Sequence, residues 1–392
     1  MEIAWEVNLP TNENSEDGYF EAPIYIKENA DKLYYICMYY VKAENNCLRL
    51  KMYEINLSDG GSKEFDLPYG HDISCKFYFI DYQDKLIIYT GEFWLYDGKS
   101  VVPILRSGYM AKIQSHLVYE NRLLLCDGTI LKCFSLDSFD LLWELSLRSS
   151  KSYCGGEMTV FEQSITCFGR DALLFIDPAD GTILNQIQIP RIAKLYHPIR
   201  TTDGNLLLGY TNWTNAGILK YDVKQSKVLW RHKRKFEGPQ LDCRLYCFED
   251  LVYWVKNETE LICLDMESGE ERFARRTTPW LYTTLNFVGD RVLYGTAGAN
   301  GFFNCIDARS GDECYSIFLK NGCAYYDLHG DSVILGDSSK TVWQISRDNG
   351  AVLQSLSVDG EVIGDIRVHD GAVYTVIWGN SEIDIRLAKI NL

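Results

Sequence analysis

The sequence predicts an all-β fold, a single β-propeller of four-stranded antiparallel blades. Three observations predict it. Apolar residues alternate or run in short β-branched and aromatic blocks, broken roughly every eight to twelve residues by Gly, Asp or Asn, which is the signature of short strands joined by tight turns. The same unit returns along the whole chain, with polar turns centred near Asp59, Asp97, Ser138, Asp180, Gln225, Ser268, Ser310 and Asn349 in steps of 38 to 45 residues. A period near forty with four strands per unit is that of propeller blades. Finally, no long segment carries helical periodicity.

Each of those turns joins a third strand to a fourth, as in "LICLDMESGEERF" and "FNCIDARSGDECY". Upstream lies an inner hairpin, whose turn falls near Asp31, Asp84, Asn121, Gln163, Gly204, Asp250, Asp290, Asp331 and Gly371. Nine repeats are counted on this basis, with eight as the alternative if one unit is irregular. The last hairpin is followed by one strand and then the chain stops. The N-terminal strand, residues 2–9, has the length and pattern to complete the blade formed by 361–392. Pairing the ends would close the ring and remove an exposed sheet edge. Repeats spread evenly over 1–392 predict one domain rather than several. The 13% of Tyr, Phe and Trp is expected to fill the wedges between blades.

Composition bounds the function. A net charge of -15 argues against a general nucleic-acid binder. The start, "MEIAWEVNLP", has no apolar signal-type region and no uncharged run is long enough to span a bilayer, so a cytoplasmic protein with no membrane association is expected. Thirteen cysteines are present, an odd number, with no CxxC pair. Most lie in apolar strands (Cys37, Cys133, Cys167, Cys247, Cys263, Cys305) and are expected to be buried free thiols. With only six scattered histidines, no metal site is predicted. No cofactor is predicted either, and the chain is expected to be a monomer.

A family resemblance rests on the third turn. Asp222 to Trp230, Asp265 to Phe273 and Asp307 to Tyr315 share a D-x7-aromatic spacing, and Gly269 and Gly311 stand four after the Asp. Trp143 keeps the aromatic with Ser135 in the Asp position, and Asp177 keeps Asp180-Gly181 but has Asn185 in the aromatic slot. This resembles the repeat of quinoprotein-type (PQQ-like) β-propellers. Locally, Asp accepts from turn N–H groups, Gly takes the φ > 0 position and the aromatic packs between blades. The enzymes of that family hold pyrroloquinoline quinone with calcium, many beside an adjacent Cys-Cys pair. No vicinal cysteines occur here, so the resemblance implies instead the family's non-catalytic assembly scaffolds.

Charge patterning supplies the candidate surfaces. Acidic residues crowd the hairpin turns: Asp31, Asp84, Glu249, Asp250, Asp290, Asp331 and Asp370 in one set, Asp59, Asp180, Glu267, Glu270, Asp312 and Asp348 in the other. Both sets are expected on one face. Basic residues, among them Arg106, Arg148, Lys151, Arg191, Lys194, Arg231, Lys233, Arg234, Lys235, Arg272, Arg275, Arg276 and Lys320, are expected on the opposite face. Aligned first strands place Glu157, Arg244 and Asp365 at one level of the central channel and Arg200, Asp327 and Arg367 two residues deeper. These six either pair with one another or, through the arginines, hold a carboxylate or phosphate. Nearby connections add His71, Tyr109, Trp213 and Trp280 as ligand-binding candidates, the aromatics being typical contact hot spots. His71-Asp72, His197, and His329 with Asp327 are the only acid–base groups in view, and no catalytic motif accompanies them. The leading expectation is a cytoplasmic, non-enzymatic scaffold binding a protein or a small anionic ligand. One alternative is an immunity-type inhibitor that meets a basic toxin through its acidic face. The other is a carbohydrate-active enzyme, a lyase or glycosidase, working at the channel mouth.

Overall fold

The structure, a computed structural model, describes residues 1–9, 24–27, 31–41, 47–67, 77–90, 92–105, 115–127, 129–148, 158–169, 172–188, 194–212, 215–235, 243–277, 281, 283–296, 300–320, 322–323, 325–337, 340–379 and 385–392. Among these residues there is no helix, and the strands form nine four-stranded antiparallel sheets. They are the blades of a nine-bladed β-propeller, so the eight-blade alternative is set aside.

Strands are named first to fourth within each blade. Blade 1 comprises Tyr25–Ile26, Lys32–Val41, Cys47–Asn56 and Ser62–Leu67; blade 2, Tyr78–Tyr82, Lys85–Tyr89, Phe93–Tyr96 and Val101–Leu105; blade 3, Ser115–Tyr119, Arg122–Cys126, Ile130–Ser135 and Leu141–Ser146. Blade 4 comprises Met158–Phe161, Ser164–Gly169, Ala172–Ile176 and Ile183–Ile187; blade 5, Lys194–Arg200, Leu206–Thr211, Asn215–Asp222 and Lys227–Lys235; blade 6, Cys243–Phe248, Leu251–Lys256, Glu260–Asp265 and Glu271–Arg276. Blade 7 comprises Asn286–Val288, Arg291–Gly295, Gly301–Asp307 and Glu313–Leu319; blade 8, Tyr325–His329, Ser332–Asp337, Thr341–Ser346 and Val352–Ser357. Blade 9 takes Glu361–His369, Ala372–Trp378 and Ile385–Asn391 from the C-terminus and Glu2–Asn8 from the N-terminus. The two ends pair antiparallel from Glu2↔Asn391 to Asn8↔Arg386, as the missing fourth strand requires.

Two compact units contain these blades. Unit one is Met1–Arg106, Thr277–Ala308 and Asp312–Leu392; unit two is Ser107–Arg276 with Arg309–Gly311. Blades 1, 2, 7, 8 and 9 fall in the first and blades 3 to 6 in the second.

Second strands are continuous apolar runs because both of their faces are covered. Every residue of Ser164–Gly169, Leu206–Thr211 and Leu251–Lys256 is buried. Fourth strands alternate instead, as in Lys227–Lys235, where every second residue is exposed. The cores lie between successive blades: Ile165 and Leu174 of blade 4 share a cluster with Leu124 and Cys133 of blade 3, and Leu207 and Ile218 of blade 5 share one with Trp254 and Ile262 of blade 6.

The D-to-aromatic motif proves to be a lock between neighbours. At the end of the third strand of blade 6, Asp265 Oδ1 accepts from the N–H groups of Glu267 (3.1 Å) and Ser268 (2.8 Å). Gly269 N–H then returns to Asp265 O at 2.9 Å with the glycine at φ 72°. Onto this tight turn the fourth-strand aromatic of the preceding blade docks. Trp230 of blade 5 covers Gly269 so closely that a Cβ there would lie 2.4 Å from the ring, and its Nε1–H donates to Met266 O at 3.1 Å. The same contact joins Trp143 to Gly181 with Nε1–H to Pro178 O at 3.0 Å, and Tyr315 to Gly350 with its hydroxyl donating to Arg347 O at 3.1 Å. Trp5 of the N-terminal strand does it for Gly60 of blade 1. Phe273 covers Gly311 without a polar bond to give.

A β-bulge immediately precedes the docking position. Register between third and fourth strands slips between Cys133/Phe134, Phe175/Ile176, Lys220/Tyr221, Cys263/Leu264, Cys305/Ile306 and Gln344/Ile345. The skipped residues are Leu142, Leu184, Leu229, Arg272, Cys314 and Leu353, and all six are exposed. The extra residue rotates the next side chain onto the neighbouring blade and leaves itself outside. This accounts for most of the exposed leucines, and for Cys314 being exposed while Cys37, Cys133, Cys167, Cys263 and Cys305 are buried. Cys247 departs from the expected burial: it is exposed, on a first strand with only one pairing neighbour.

Gly269→Ala should therefore lower stability by about 2 kcal/mol or more, from the positive φ and the clash together. Trp230→Phe, which keeps the ring but loses the bond to Met266 O, should lose about 1 kcal/mol. Urea denaturation of the two variants checks the order; equal losses would show that the packing contact does not dominate.

Candidate functional site

First strands carry the charged residues that the sequence marks for the channel. In unit one, three of them come together. Arg367 Nε–H donates to Asp365 Oδ2 at 2.8 Å, both on the first strand of blade 9. Asp327, on the first strand of blade 8, accepts from the backbone N–H of Val368 through Oδ2 (2.7 Å) and of Leu328 through Oδ1 (2.8 Å). A first strand has one unpaired backbone edge, and Asp327 caps an amide on that edge of the next blade. The Tyr325 hydroxyl, two residues before Asp327 and on the same face, is buried with no hydrogen-bond partner among the described residues.

The electrostatics of this trio are uneven. Asp365 is 21% exposed. Burial pushes its carboxyl above the ordinary aspartate range; Arg367 opposes the shift and the charge of Asp327 adds to it. Holding Asp365 ionised thus works against stability, which is common where a charge serves function rather than folding.

Unit two holds Arg200 and Arg244. The exposed Arg200 guanidinium lies 5.2 Å from the Phe161 ring centroid, a cation–π contact between blades 5 and 4. Arg244 is half-buried on the first strand of blade 6. Glu157, His71, Tyr109, Trp213 and Trp280 lie outside the described residues, as do Asp72 and Tyr153, and so does the side chain of His197. His329 is half-buried at the end of its strand.

The acidic hairpin turns are all exposed. Within a blade the two turns lie side by side, because an outer-turn N–H donates to an inner-turn carbonyl: Leu57 to Asp31, Met266 to Asp250, Ala308 to Asp290, Arg347 to Asp331. Arginines answer several of the acids. Arg309 bridges Glu249 (2.6 Å) and Asp250 (2.9 Å), Arg347 meets Asp331 (2.9 Å) and Arg291 meets Asp348 (3.6 Å). These pairs reduce the negative field along the turns.

Among the described residues four buried charges, Glu54, Lys132, Lys220 and Lys256, escaped sequence reasoning, and the two most deeply buried join blades. Lys220, 1% exposed, places Nζ between Asp203 (2.7 Å) and Glu267 (3.0 Å), tying blade 5 to the outer turn of blade 6. Burial opposes ionisation of Asp203, but Lys220 and Thr201 hold its carboxyl far below the usual range. Glu54, 4% exposed, accepts from Tyr96 (2.5 Å), Lys32 (2.9 Å), Tyr34 (3.3 Å) and Lys63 (3.3 Å). The visible signal was a lone charge inside an apolar strand, "GILKYD" and "KMYEIN".

With the geometry in place, comparison with known proteins is direct. A family model described as "Outer membrane protein assembly factor BamB" matches residues 214–386. Among solved structures, BamB from Moraxella catarrhalis aligns with a TM-score of 0.52 at 13% identity, over 80% of this chain and 95% of that one. The computationally designed Ika8 protein gives 0.52 at 14% identity over 80% and 95%, and a europium-containing methanol dehydrogenase 0.50 at 9% over 96% and 84%. No curated protein matches by sequence. At the level of fold, the chain is a PQQ-like β-propeller. Likeness at these identities defines the architecture alone.

The two kinds of aspartate should titrate with opposite effect. Hydrogen bonds from the Ser268 backbone and from Arg272 hold Asp265 down to about 2. Its contribution is complete above the unfolded value near ~3.9 and is lost as pH falls toward the folded one. Asp265→Asn should therefore destabilise at pH 7 and progressively less below pH ~4. Asp365 is raised, so Asp365→Asn should stabilise at pH 7, with the gain shrinking as acid protonates the wild-type carboxyl. Denaturation midpoints of both variants across this range test the contrast; a loss of stability at pH 7 for Asp365→Asn would make the Arg367 pair a structural one.

Proposed function

We propose that this chain is a non-enzymatic binding scaffold, acting in the cytoplasm, whose ligand is another protein. The observation that carries this reading is the match of residues 214–386, from the third strand of blade 5 to the start of the last C-terminal strand, to an assembly factor. The work of such a protein is contact with other proteins. Side-chain commitments support it: Arg367 is engaged by Asp365, and Asp327 by two backbone amides. The cytoplasmic assignment is supported by seven buried cysteines among the described residues, carried as thiols, a pattern suited to a reducing compartment.

Affinity capture from native lysate tests the proposal, using the wild-type chain and an Arg200→Ala, Arg244→Ala, Arg367→Ala variant as baits. A stoichiometric protein partner retained by both baits is the expected result. If no protein is captured and citrate or phosphate raises the melting temperature of the wild type but not of the variant, the ligand is a small anion and the scaffold reading fails.

A further inference from the structure

The fourth strand of blade 5, Lys227–Lys235, differs from its equivalents in length and in charge. It pairs with Asn215–Asp222 on one side, and no described strand pairs with its other edge. After the bulge at Leu229, Trp230–Lys235 runs six residues in unbroken register. Equivalent runs stop after three to five residues, as in Asn185–Ile187 and Tyr315–Leu319. Among the described residues this is the longest regular run of an outermost strand in the bulged blades.

Its side chains are sorted by face. Arg234 and His232 turn toward blade 6 and meet Glu271, His232 Nε2 at 3.5 Å, which anchors the strand to its neighbour. Arg231, Lys233 and Lys235 point the other way and are exposed. Five of the nine residues are Lys or Arg and none is acidic, in a chain with 39 basic and 54 acidic residues.

Protection of an exposed edge against aggregation is the general reason for a lysine there. That reason applies equally to the other blades, yet the fourth strands of blades 2, 3, 4, 7, 8 and 9 carry no Lys or Arg. Lys63 of blade 1 and Arg272, Arg275 and Arg276 of blade 6 share their strands with Glu or Asp, so only the blade 5 strand is basic with no acidic residue in it.

We infer that Trp230–Lys235 is a docking edge for an extended acidic segment of a partner protein, added as a fifth antiparallel or parallel strand with its carboxylates against Lys233 and Lys235. Main-chain hydrogen bonds supply affinity and the alternating cross-strand charge pairs supply selectivity. A nucleic acid could use the charges but not the backbone edge. The inference rests on the scaffold reading and names the chemistry of its partner.

The test uses the full chain and a fluorescein-labelled peptide of alternating Val and Glu, eight residues long. Saturable binding is expected, weakened at least roughly tenfold by Lys233→Glu with Lys235→Glu and by raised salt. The same peptide N-methylated on alternate residues keeps its charge but cannot pair along one edge, and should bind at least roughly tenfold more weakly. Equal binding of the methylated peptide, or of a single-stranded oligonucleotide of matched charge, overturns strand addition; so does failure of the parent peptide to bind. A partner captured from lysate equally well by the Lys233→Glu, Lys235→Glu variant overturns the edge and leaves the scaffold reading standing.

Discussion

The repeat of this fold is organised around the seating of a fourth-strand aromatic on the outer-turn glycine of the following blade, a contact seen at five junctions. The contact needs two features on different repeats: a turn tight enough to require positive φ, and a ring with nothing but hydrogen beneath it. Where the pair is present, as for Trp230 on Gly269, the ring closes a gap that no larger residue could share. At the junctions of blade 4 with 5 and of blade 8 with 9 both halves are missing. Blade 4 has Asn185 in the aromatic slot, and the outer turn of blade 5 has Ser226 at positive φ in place of glycine. Blade 8 has Gln354 in that slot, facing a blade whose outer turn is replaced by the chain ends, and Gln354 accepts the Met1 ammonium at 2.8 Å.

Because each lock joins only neighbours, the molecule is held by a series of local agreements rather than one central core. Two of the buried charges follow the same rule. Lys220 reaches forward to Glu267 and Glu54 gathers Tyr96 from the next blade. A buried lysine or glutamate is tolerable when its partners are complete, and here those partners come from two blades at once. Such pairs add directionality to contacts that apolar packing alone would leave free to slide.

Legibility in sequence followed the range of each interaction. The four-stranded repeat, its inner and outer hairpin turns and the terminal pairing were readable because they are set by short-range periodicity and by turn residues such as Gly269 and Asp265. The aromatic was readable as an inter-blade residue, but not its partner, since the D-x7-aromatic spacing lies within one blade and the contact reaches the next. The bulge was hidden because a skipped residue leaves alternation intact on either side of it. Arg200, Arg244, Asp327, Asp365 and Arg367 were legible as first-strand residues; that Asp327 would cap the Val368 amide was not, since it depends on the stagger between two sheets. The basic strand of blade 5 was visible as a charge cluster, and only pairing order showed it to be an unpaired edge.

The six bulged positions also record what the fold leaves undecided. Leu142, Leu184, Leu229, Arg272, Cys314 and Leu353 have no chemistry in common, because the geometry that aims the following residue inward removes them from packing. They form a set of sites at one fixed place in successive repeats where side chains can be exchanged without entering a core. Cys314 already offers an accessible thiol at such a place, giving a ready attachment point for a probe on the rim of the molecule.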